Sequence, residues 1–156
     1  MKPIYRSMLL GFGLLVAVSM TAQRVQATLG EPAGSVEADR NALYAVRNAA
    51  MARGGYTVQE IESASVAIRE YISPSGIVFG IAWNGLIHPD LTQLLGSYAK
   101  EYKKALQQTP RRLGQRHLQV KTSRVVVEKW GHMRNLQGRA YAPALIPPGV
   151  SANEIR

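Results

Sequence analysis

Residues 76–85 read GIVFGIAWNG, and this apolar stretch decides the fold that the sequence predicts. In an extended strand, alternate side chains point to opposite faces, so one face here carries the larger residues and the other the smaller ones. A strand that is apolar on both faces is typical of the covered middle of a sheet, and we expect a helix over its small-residue side. The predicted large face consists of Ile77, Phe79, Ile81 and Trp83, and the small face of Val78, Gly80 and Ala82.

The chain before this strand predicts two more strands and a helix. Residues 56–62 (YTVQEIE) and 66–73 (VAIREYIS) alternate between apolar and polar positions, and residues 74–76 (PSG) form a turn. Further upstream, Ser35 is a suitable N-cap, and apolar residues recur at near-helical spacing until an Arg-Gly-Gly run at residues 53–55. We therefore predict a first helix between these two points, with apolar positions at Val36, Leu43, Val46 and Ala50.

The chain after the strand predicts a second helix and three further strands. Asp90 is a favoured N-cap, and Gln93 completes a pattern like a capping box. One apolar stripe follows at helical spacing, and it consists of Leu91, Leu94, Leu95, Tyr98, Tyr102 and Leu106. Strands are predicted over residues 117–121, 124–130 and 136–141. The predicted fold class is α+β, an antiparallel sheet of about five to six strands with two helices packed on it, in the order α-βββ-α-βββ.

Residues 1–27 have the layout of a secretory signal peptide. Lys2 and Arg6 give the chain a basic start, and the apolar run MLLGFGLLVAVSM follows at residues 8–20. That run is shorter than the roughly 20 residues of a membrane-spanning helix, and it fits the apolar region of a signal peptide. We therefore expect the protein to be exported.

The end of this segment predicts the domain organisation. Residues 25–27 (VQA) fit the small-x-small pattern of signal cleavage, so we place the cut after Ala27. A single α+β domain is expected over residues 28–143, followed by an extended C-terminal arm over residues 144–156 because of its prolines. The predicted location is periplasmic or secreted, with no transmembrane segment left after cleavage.

The composition limits the chemistry that this chain can perform. It has 156 residues and no cysteine, so a thiol nucleophile and a cysteine metal site are excluded. Its three histidines, His88, His117 and His132, show no metal-ligand spacing, and we predict neither a metal nor a cofactor. The formal charge is +9, and residues 1–27 contribute only three of these positive charges, so anionic partners are favoured.

Several familiar catalytic motifs are missing from the sequence. It contains no G-x-S-x-G elbow, no H-E-x-x-H zinc motif and no glycine-rich phosphate loop. The His-Pro-Asp run at residues 88–90 is better explained by its aspartate acting as a helix cap. Glu62 and Glu70 would serve as acid and base only if both were buried together. A small cofactor-free hydrolase or isomerase with a carboxylate–histidine site near Glu70, His88 or His132 remains an alternative.

Charge is distributed unevenly along the chain. Residues 28–99 carry four basic and seven acidic side chains, whereas residues 100–139 carry eleven basic and two acidic ones. A basic half of this kind indicates a docking face for an anionic partner, and an ordinary solvated surface explains it equally well. Anionic envelope lipid, glycan or an acidic protein would suit an exported chain, and nucleic acid is not expected. The candidate binding residues are Lys100, Lys103, Lys104, Arg111, Arg112, Arg116, Lys121 and Arg124.

A set of short blocks extends over nearly the whole chain after the signal region. They are residues 27–30 (ATLG), 56–58 (YTV), 69–73 (REYIS), 76–79 (GIVF), 82–83 (AW), 89–91 (PDL), 94–98 (LLGSY), 131–134 (GHMR), 138–141 (GRAY) and 147–151 (PPGVS). In this combination the chain resembles a family of exported proteobacterial proteins, domain-of-unknown-function family 2844. The resemblance implies an export signal and a single domain, and it assigns no catalytic residue.

The sequence favours binding over catalysis. We expect a non-catalytic, envelope-associated binding module whose basic half docks on an anionic partner. A deep pocket with convergent polar groups would instead favour the hydrolase or isomerase alternative. A third hypothesis is a structural or inhibitor-like partner of a co-exported protein, which would use an edge of the sheet.

Overall fold

The structure is a computed structural model that describes residues 28–33, 46–110 and 113–156. Within these residues seven strands pair antiparallel in one sheet, with the spatial order β1-β2-β3-β4-β7-β6-β5. The strands are β1 (Val46–Arg53), β2 (Tyr56–Glu62), β3 (Val66–Ile72), β4 (Val78–Gly85), β5 (His117–Lys121), β6 (Val126–His132) and β7 (Asn135–Tyr141). The predicted antiparallel sheet is confirmed, although it has more strands than expected.

A helical segment of 18 residues connects β4 with β5. It begins as α1 (Leu91–Leu95), passes through a 3-10 turn (Gly96–Tyr98) and continues as α2 (Ala99–Gln108). Asp90 caps the segment, because its Oδ1 accepts a hydrogen bond from the Thr92 amide at 2.8 Å. The predicted second helix and its N-cap are therefore confirmed.

The first predicted helix is wrong over residues 46–53, which form strand β1. The remaining part of that predicted helix, up to residue 45, lies outside the described residues. Arg53 pairs with Tyr56, so Gly54 and Gly55 form a two-residue hairpin turn, in which Gly55 has a φ of 92°. A pair of glycines can end a helix or close a hairpin, and here it closes a hairpin. The predicted order α-βββ-α-βββ is therefore wrong, and the described fold is mostly sheet with one helical segment.

Strand β4 lies in the middle of the sheet as predicted, but a β-bulge changes the faces that its residues occupy. Gly80 and Val78 pair with consecutive residues of β3, so Phe79 is the extra residue of the bulge. Phe79 consequently packs on the face opposite to that of Ile81. The prediction that all large residues of this strand share one face is therefore wrong.

The helical segment covers one face of the sheet, and the C-terminal segment covers the other. Leu94 of α1 packs with Ile81 and Trp83 in the first core. On the other face Ile155 is fully buried in a second core with Phe79. The expectation of a helix over the small-residue side is wrong for Gly80 and Ala82, where Ile155 packs instead, whereas Val78 belongs to the core under the helical segment.

The sequence predicts an extended C-terminal arm over residues 144–156. In the structure this segment folds back onto the sheet. It contains two 3-10 turns, Pro143–Leu145 and Ala152–Glu154. The second turn has a capping box, in which the Ser151 amide donates to the Glu154 carboxylate at 2.8 Å. These local hydrogen bonds shape the segment so that Ile155 can reach the core.

Candidate anion-binding face

Helix α2 presents three lysines to solvent because its opposite side is buried on the sheet. Ala99 and Tyr102 are buried, whereas Lys100, Lys103 and Lys104 are exposed. Helical side chains three and four positions apart are neighbours, so Lys100 lies beside both other lysines. The structure therefore brings these three predicted site residues together.

Arg124 connects the β5–β6 turn with the helical segment. Its guanidinium carbon lies 4.6 Å from the centre of the Tyr98 ring, in a cation–π arrangement. Its Nη1 lies 3.9 Å from Oε2 of Glu101, and Ser123 in the same turn donates to the other oxygen of that carboxylate at 3.3 Å. Lys121 is exposed at the end of β5. Arg124 thus adds a positive charge beside the helical segment, whereas Lys121 follows the helix-facing Val120 and shares the opposite face of the sheet with Gln119.

The other three predicted residues belong to the loop between α2 and β5. Arg116 is exposed in the part of this loop that the structure describes, and no hydrogen bond or ion pair links it there to the lysines of α2. Arg111 and Arg112 lie outside the described residues.

A groove of about 250 Å³ lies between the start of α1, the sheet-facing flank of α2 and strand β6. Lys103 of α2 and Lys129 of β6 line it, and the Lys129 ammonium lies 5.8 Å from the centre of the Tyr102 ring. Tyr102 also lines the groove, is 4% exposed, and has a hydroxyl without a hydrogen-bond partner in the described part of the chain. Asp90 is an acidic lining residue, but its Oδ1 is engaged as the helix cap. Two lysine side chains thus line one groove and can accept an anionic group, while the Tyr102 hydroxyl lies buried beneath its surface.

His88 is a neutral neighbour of this groove. It accepts a hydrogen bond at Nδ1 from the indole Nε1 of Trp83, at 3.0 Å. Burial lowers the pKa of His88, and the positive charge of Lys129 lowers it further. The imidazole is therefore uncharged at neutral pH, and it fixes the loop before α1 rather than adding to the basic surface.

The structure gives the carboxylate–histidine alternative no converging geometry. Glu70 lies opposite Gln59 and Glu62 lies opposite Ala67, so the two glutamates are not cross-strand neighbours. His132 is exposed at the end of β6. In the described ranges, no three His, Asp or Glu side chains are close enough together to hold a metal ion.

Ser97 and Lys100 have the Ser-x-x-Lys spacing that some serine hydrolases use. Both side chains are exposed, and no hydrogen bond joins them among the described residues. A serine nucleophile needs an oriented base in hydrogen-bond reach, so this pair does not form a catalytic site.

Within the described ranges, two ion pairs lie on the face of the sheet opposite the helix. Arg139 of β7 donates from Nε to Oε2 of Glu128 in β6 at 2.5 Å, and Gln119 of β5 donates to Oε1 at 2.6 Å. Burial raises the pKa of Glu128, but the hydrogen bonds from Arg139 and Gln119 outweigh it and hold the pKa below its usual value. Arg69 and Glu60 form the second pair at 3.1 Å.

A cavity of about 520 Å³ lies beside the Arg69 side chain on this face. The C-terminal segment already engages its polar groups. Tyr56 donates to the Glu154 carboxylate at 2.9 Å, and burial followed by this bond raises the pKa of Tyr56. Tyr71 and Arg69 donate to the main-chain oxygen of Arg156, at 2.7 and 3.2 Å. This cavity therefore anchors the C-terminal segment.

Sequence reasoning did not single out Lys129 or the hydroxyl of Tyr102. Tyr102 belongs to the apolar stripe of the second helix, where it counts as a core residue. Lys129 is one basic residue in a strand, and nothing in its spacing relates it to Lys103. Only the packing of α2 against the sheet brings the three together.

These features define a mostly β protein, built on one antiparallel sheet with a helical segment that exposes three lysines. Residues 25–155 match the family model described as "Protein of unknown function (DUF2844)", and the chain therefore belongs to this family. The resemblance noted in the sequence is thereby confirmed. No curated protein and no solved structure matches the chain. None of the helices in the described ranges has the length and apolar character needed to cross a membrane.

Proposed function

We propose that this protein is a non-catalytic binding module of the bacterial cell envelope, and that the surface beside α2 holds its anionic partner. The observation that carries the proposal is the groove in which Lys103 and Lys129 accompany Tyr102. A buried hydroxyl without a partner costs about 1–3 kcal/mol of stability. An anionic group bound in the groove would meet the charges of both lysines, and it would accept the hydrogen bond of the buried hydroxyl once the groove wall adjusts around it.

The electrostatic field of the lysines around the groove supports the same function. Lys100 and Lys104 are exposed next to Lys103, and Arg124 adds a further positive charge against the Tyr98 ring. Exposed charges act over about 8–10 Å at physiological ionic strength, so neighbouring side chains attract an anion together. Binding by this surface should weaken steeply as salt is added.

Export is the second part of the proposal, and it rests on the signal-like residues 1–27. An exported basic surface meets anionic lipid headgroups, glycans and acidic proteins, and it does not meet nucleic acid in the cell. The absence of cysteine suits a protein that folds in the envelope without disulfides.

Elution from immobilised dextran sulfate in a salt gradient tests the anion-binding role. Lys103→Gln/Lys129→Gln should elute at lower salt than the parent protein, because both groove charges are gone. The control is Arg53→Gln/Arg156→Gln, which removes the same charge from exposed residues at the other cavity. Equal loss of retention in the two variants would contradict the proposal, since net charge alone would then explain binding.

A further inference from the structure

Exposed apolar side chains concentrate at one end of the sheet. Among the described residues five large apolar side chains are exposed, and four of them lie in three loops: Leu86, Ile87, Leu113 and Met133. Leu113 is fully exposed, Met133 is 88% exposed, and Leu86 and Ile87 are more than half exposed. The fifth, Met51, lies in β1. We call the group of four the apolar tip.

The strand register shows that these three loops leave the same end of the sheet. Gly85, the last residue of β4, pairs with Leu136, which also pairs with Gly131 near the end of β6. His117, the first residue of β5, pairs with Trp130. The β4–α1 loop, the β6–β7 turn and the α2–β5 loop are therefore neighbours, spread over three strand spacings, or about 14 Å.

Two of these loops, β4–α1 and β6–β7, are held in shape although their apolar side chains point to solvent. Trp83 donates to His88 and fixes the β4–α1 loop. Met133 and Arg134 are the two central residues of the β6–β7 hairpin, and Arg134 adopts a φ of 70°, which is uncommon for a residue with a side chain. Single exposed apolar residues are ordinary on protein surfaces, but a group of four at one end marks an interaction site.

The charge of the same loops indicates what the site contacts. Arg116 and Arg134 are exposed in them, whereas the acidic Asp90 at the end of the β4–α1 loop is engaged as the cap of α1. Glu62 is an acidic neighbour, since it lines a pocket with Leu86 and Arg134. A soluble polyanion would attract the arginines but would leave the apolar side chains in water. A bilayer with anionic headgroups attracts basic residues and also takes up apolar side chains at its interface.

We propose that the apolar tip inserts into the interface of a lipid bilayer with anionic headgroups. Leu113, Met133, Leu86 and Ile87 enter the region between headgroups and acyl chains, while Arg116 and Arg134 remain at the level of the phosphates. This inference rests on the proposed function, because it names the anionic partner as a lipid surface and gives the orientation in which the protein meets it.

Vesicle flotation tests the proposal with liposomes of equal parts phosphatidylglycerol and phosphatidylcholine, and with liposomes of phosphatidylcholine alone. Leu113→Ser/Met133→Ser should lower the partition coefficient on the anionic liposomes by about tenfold or more, because two inserted side chains are lost. Its retention on dextran sulfate should equal that of the parent protein. Both side chains are exposed, so thermal unfolding should be unchanged, and Met51→Ser is the matched control that should float like the parent.

Fluorescence gives a second readout that does not depend on affinity. Met133→Trp should show a blue-shifted emission relative to the parent when anionic liposomes are added, and Met51→Trp should not. Equal flotation of Leu113→Ser/Met133→Ser and the parent, or no shift for Met133→Trp, would overturn the insertion. If the parent is retained on dextran sulfate and does not float with the liposomes, the lipid inference is wrong while the anion-binding function stands. If the parent protein is neither retained on dextran sulfate nor floats with the liposomes, the lipid inference and the anion-binding function are both wrong.

Discussion

The side chain of Ile155 occupies the space beside Gly80 that any larger residue at that position of β4 would need. A Cβ atom at Gly80 would lie 2.7 Å from Cδ1 of Ile155, well inside van der Waals contact. The two residues therefore fix the C-terminal segment to the central strand, and the glycine is required by packing.

Gly80→Ala should lower the free energy of unfolding by about 1–2 kcal/mol, because the added methyl group overpacks Ile155. Urea denaturation measures the change. Gly54→Ala is the control, since a Cβ there meets nothing within 4 Å, and it should shift stability by no more than about 0.5 kcal/mol. In an Ile155→Ala background the cost of Gly80→Ala should shrink, and an unchanged cost would contradict the contact.

Arg139→Met should lower the free energy of unfolding by about 2–3 kcal/mol, because it leaves the largely buried Glu128 carboxylate without its cation. Glu101→Gln is the comparison, since that carboxylate pairs at 3.9 Å with the exposed Arg124. It should leave stability almost unchanged. Similar losses in the two variants would show that the Arg139–Glu128 pair is no stronger than a surface contact.

The Arg139–Glu128 pair predicts how the free energy of unfolding depends on pH. The pKa of Glu128 is lowered in the folded protein, so folding favours the ionised carboxylate. This contribution is complete above the pKa of an unfolded-chain glutamate, about 4.3, and is lost as the pH falls through the lower folded value. In Arg139→Met the burial of Glu128 loses its main compensation, so the stability difference between parent and variant should narrow on acidification. Urea denaturation at a series of pH values checks this, and a constant difference would contradict it.

Tyr102→Phe should raise the free energy of unfolding by up to about 1 kcal/mol, because it removes a buried hydroxyl that lacks a partner in the described structure. The same substitution should reduce retention on dextran sulfate if that hydroxyl serves the ligand. Tyr56→Phe is the control, and it should be destabilising because it removes the hydrogen bond to Glu154. A destabilised Tyr102→Phe protein would mean that the hydroxyl is a structural group.

The mature N-terminus is predicted to be Thr28. Intact-mass measurement of the protein recovered from the envelope fraction should give the mass of residues 28–156, because the signal peptidase recognises the small residues at 25 and 27. An envelope product that retains Met1 would contradict the predicted cleavage.

Alternation and turn signals together predict most of the sheet. The pattern over residues 56–62 and 117–121 predicts β2 and β5 with the bounds that the structure has. Strand β1 is missed because its hairpin turn, Gly54–Gly55, is equally suited to the end of a helix. The bulge at Phe79 is missed because a strand that is apolar on both faces gives no sign of which face each residue occupies.

The sequence predicts less of the candidate site than of the fold. Helical spacing is enough to predict that Lys100, Lys103 and Lys104 share an exposed side, since the apolar stripe must face the sheet. The relation of Lys129 to Lys103 depends on how α2 crosses β6, which no local pattern encodes. Likewise, only the packing around Tyr102 shows that its buried hydroxyl lacks a hydrogen-bond partner in the described structure.

The strand order divides the sheet into two meanders that the chain completes separately. Strands β1 to β4 follow one another as hairpins, as do β5 to β7, and among the described strands only β4 and β7 pair across the helical segment. Hairpins close short loops, whereas this pairing must close a loop that contains the whole helical segment, at a greater cost in chain entropy. Where β4 pairs with β7, a Cβ atom on Gly138 would overlap the Trp83 ring. The two meanders therefore approach so closely that a side chain at position 138 does not fit. We therefore expect the docking of β7 on β4 to limit the rate of folding, and substitutions at Gly138 to slow it.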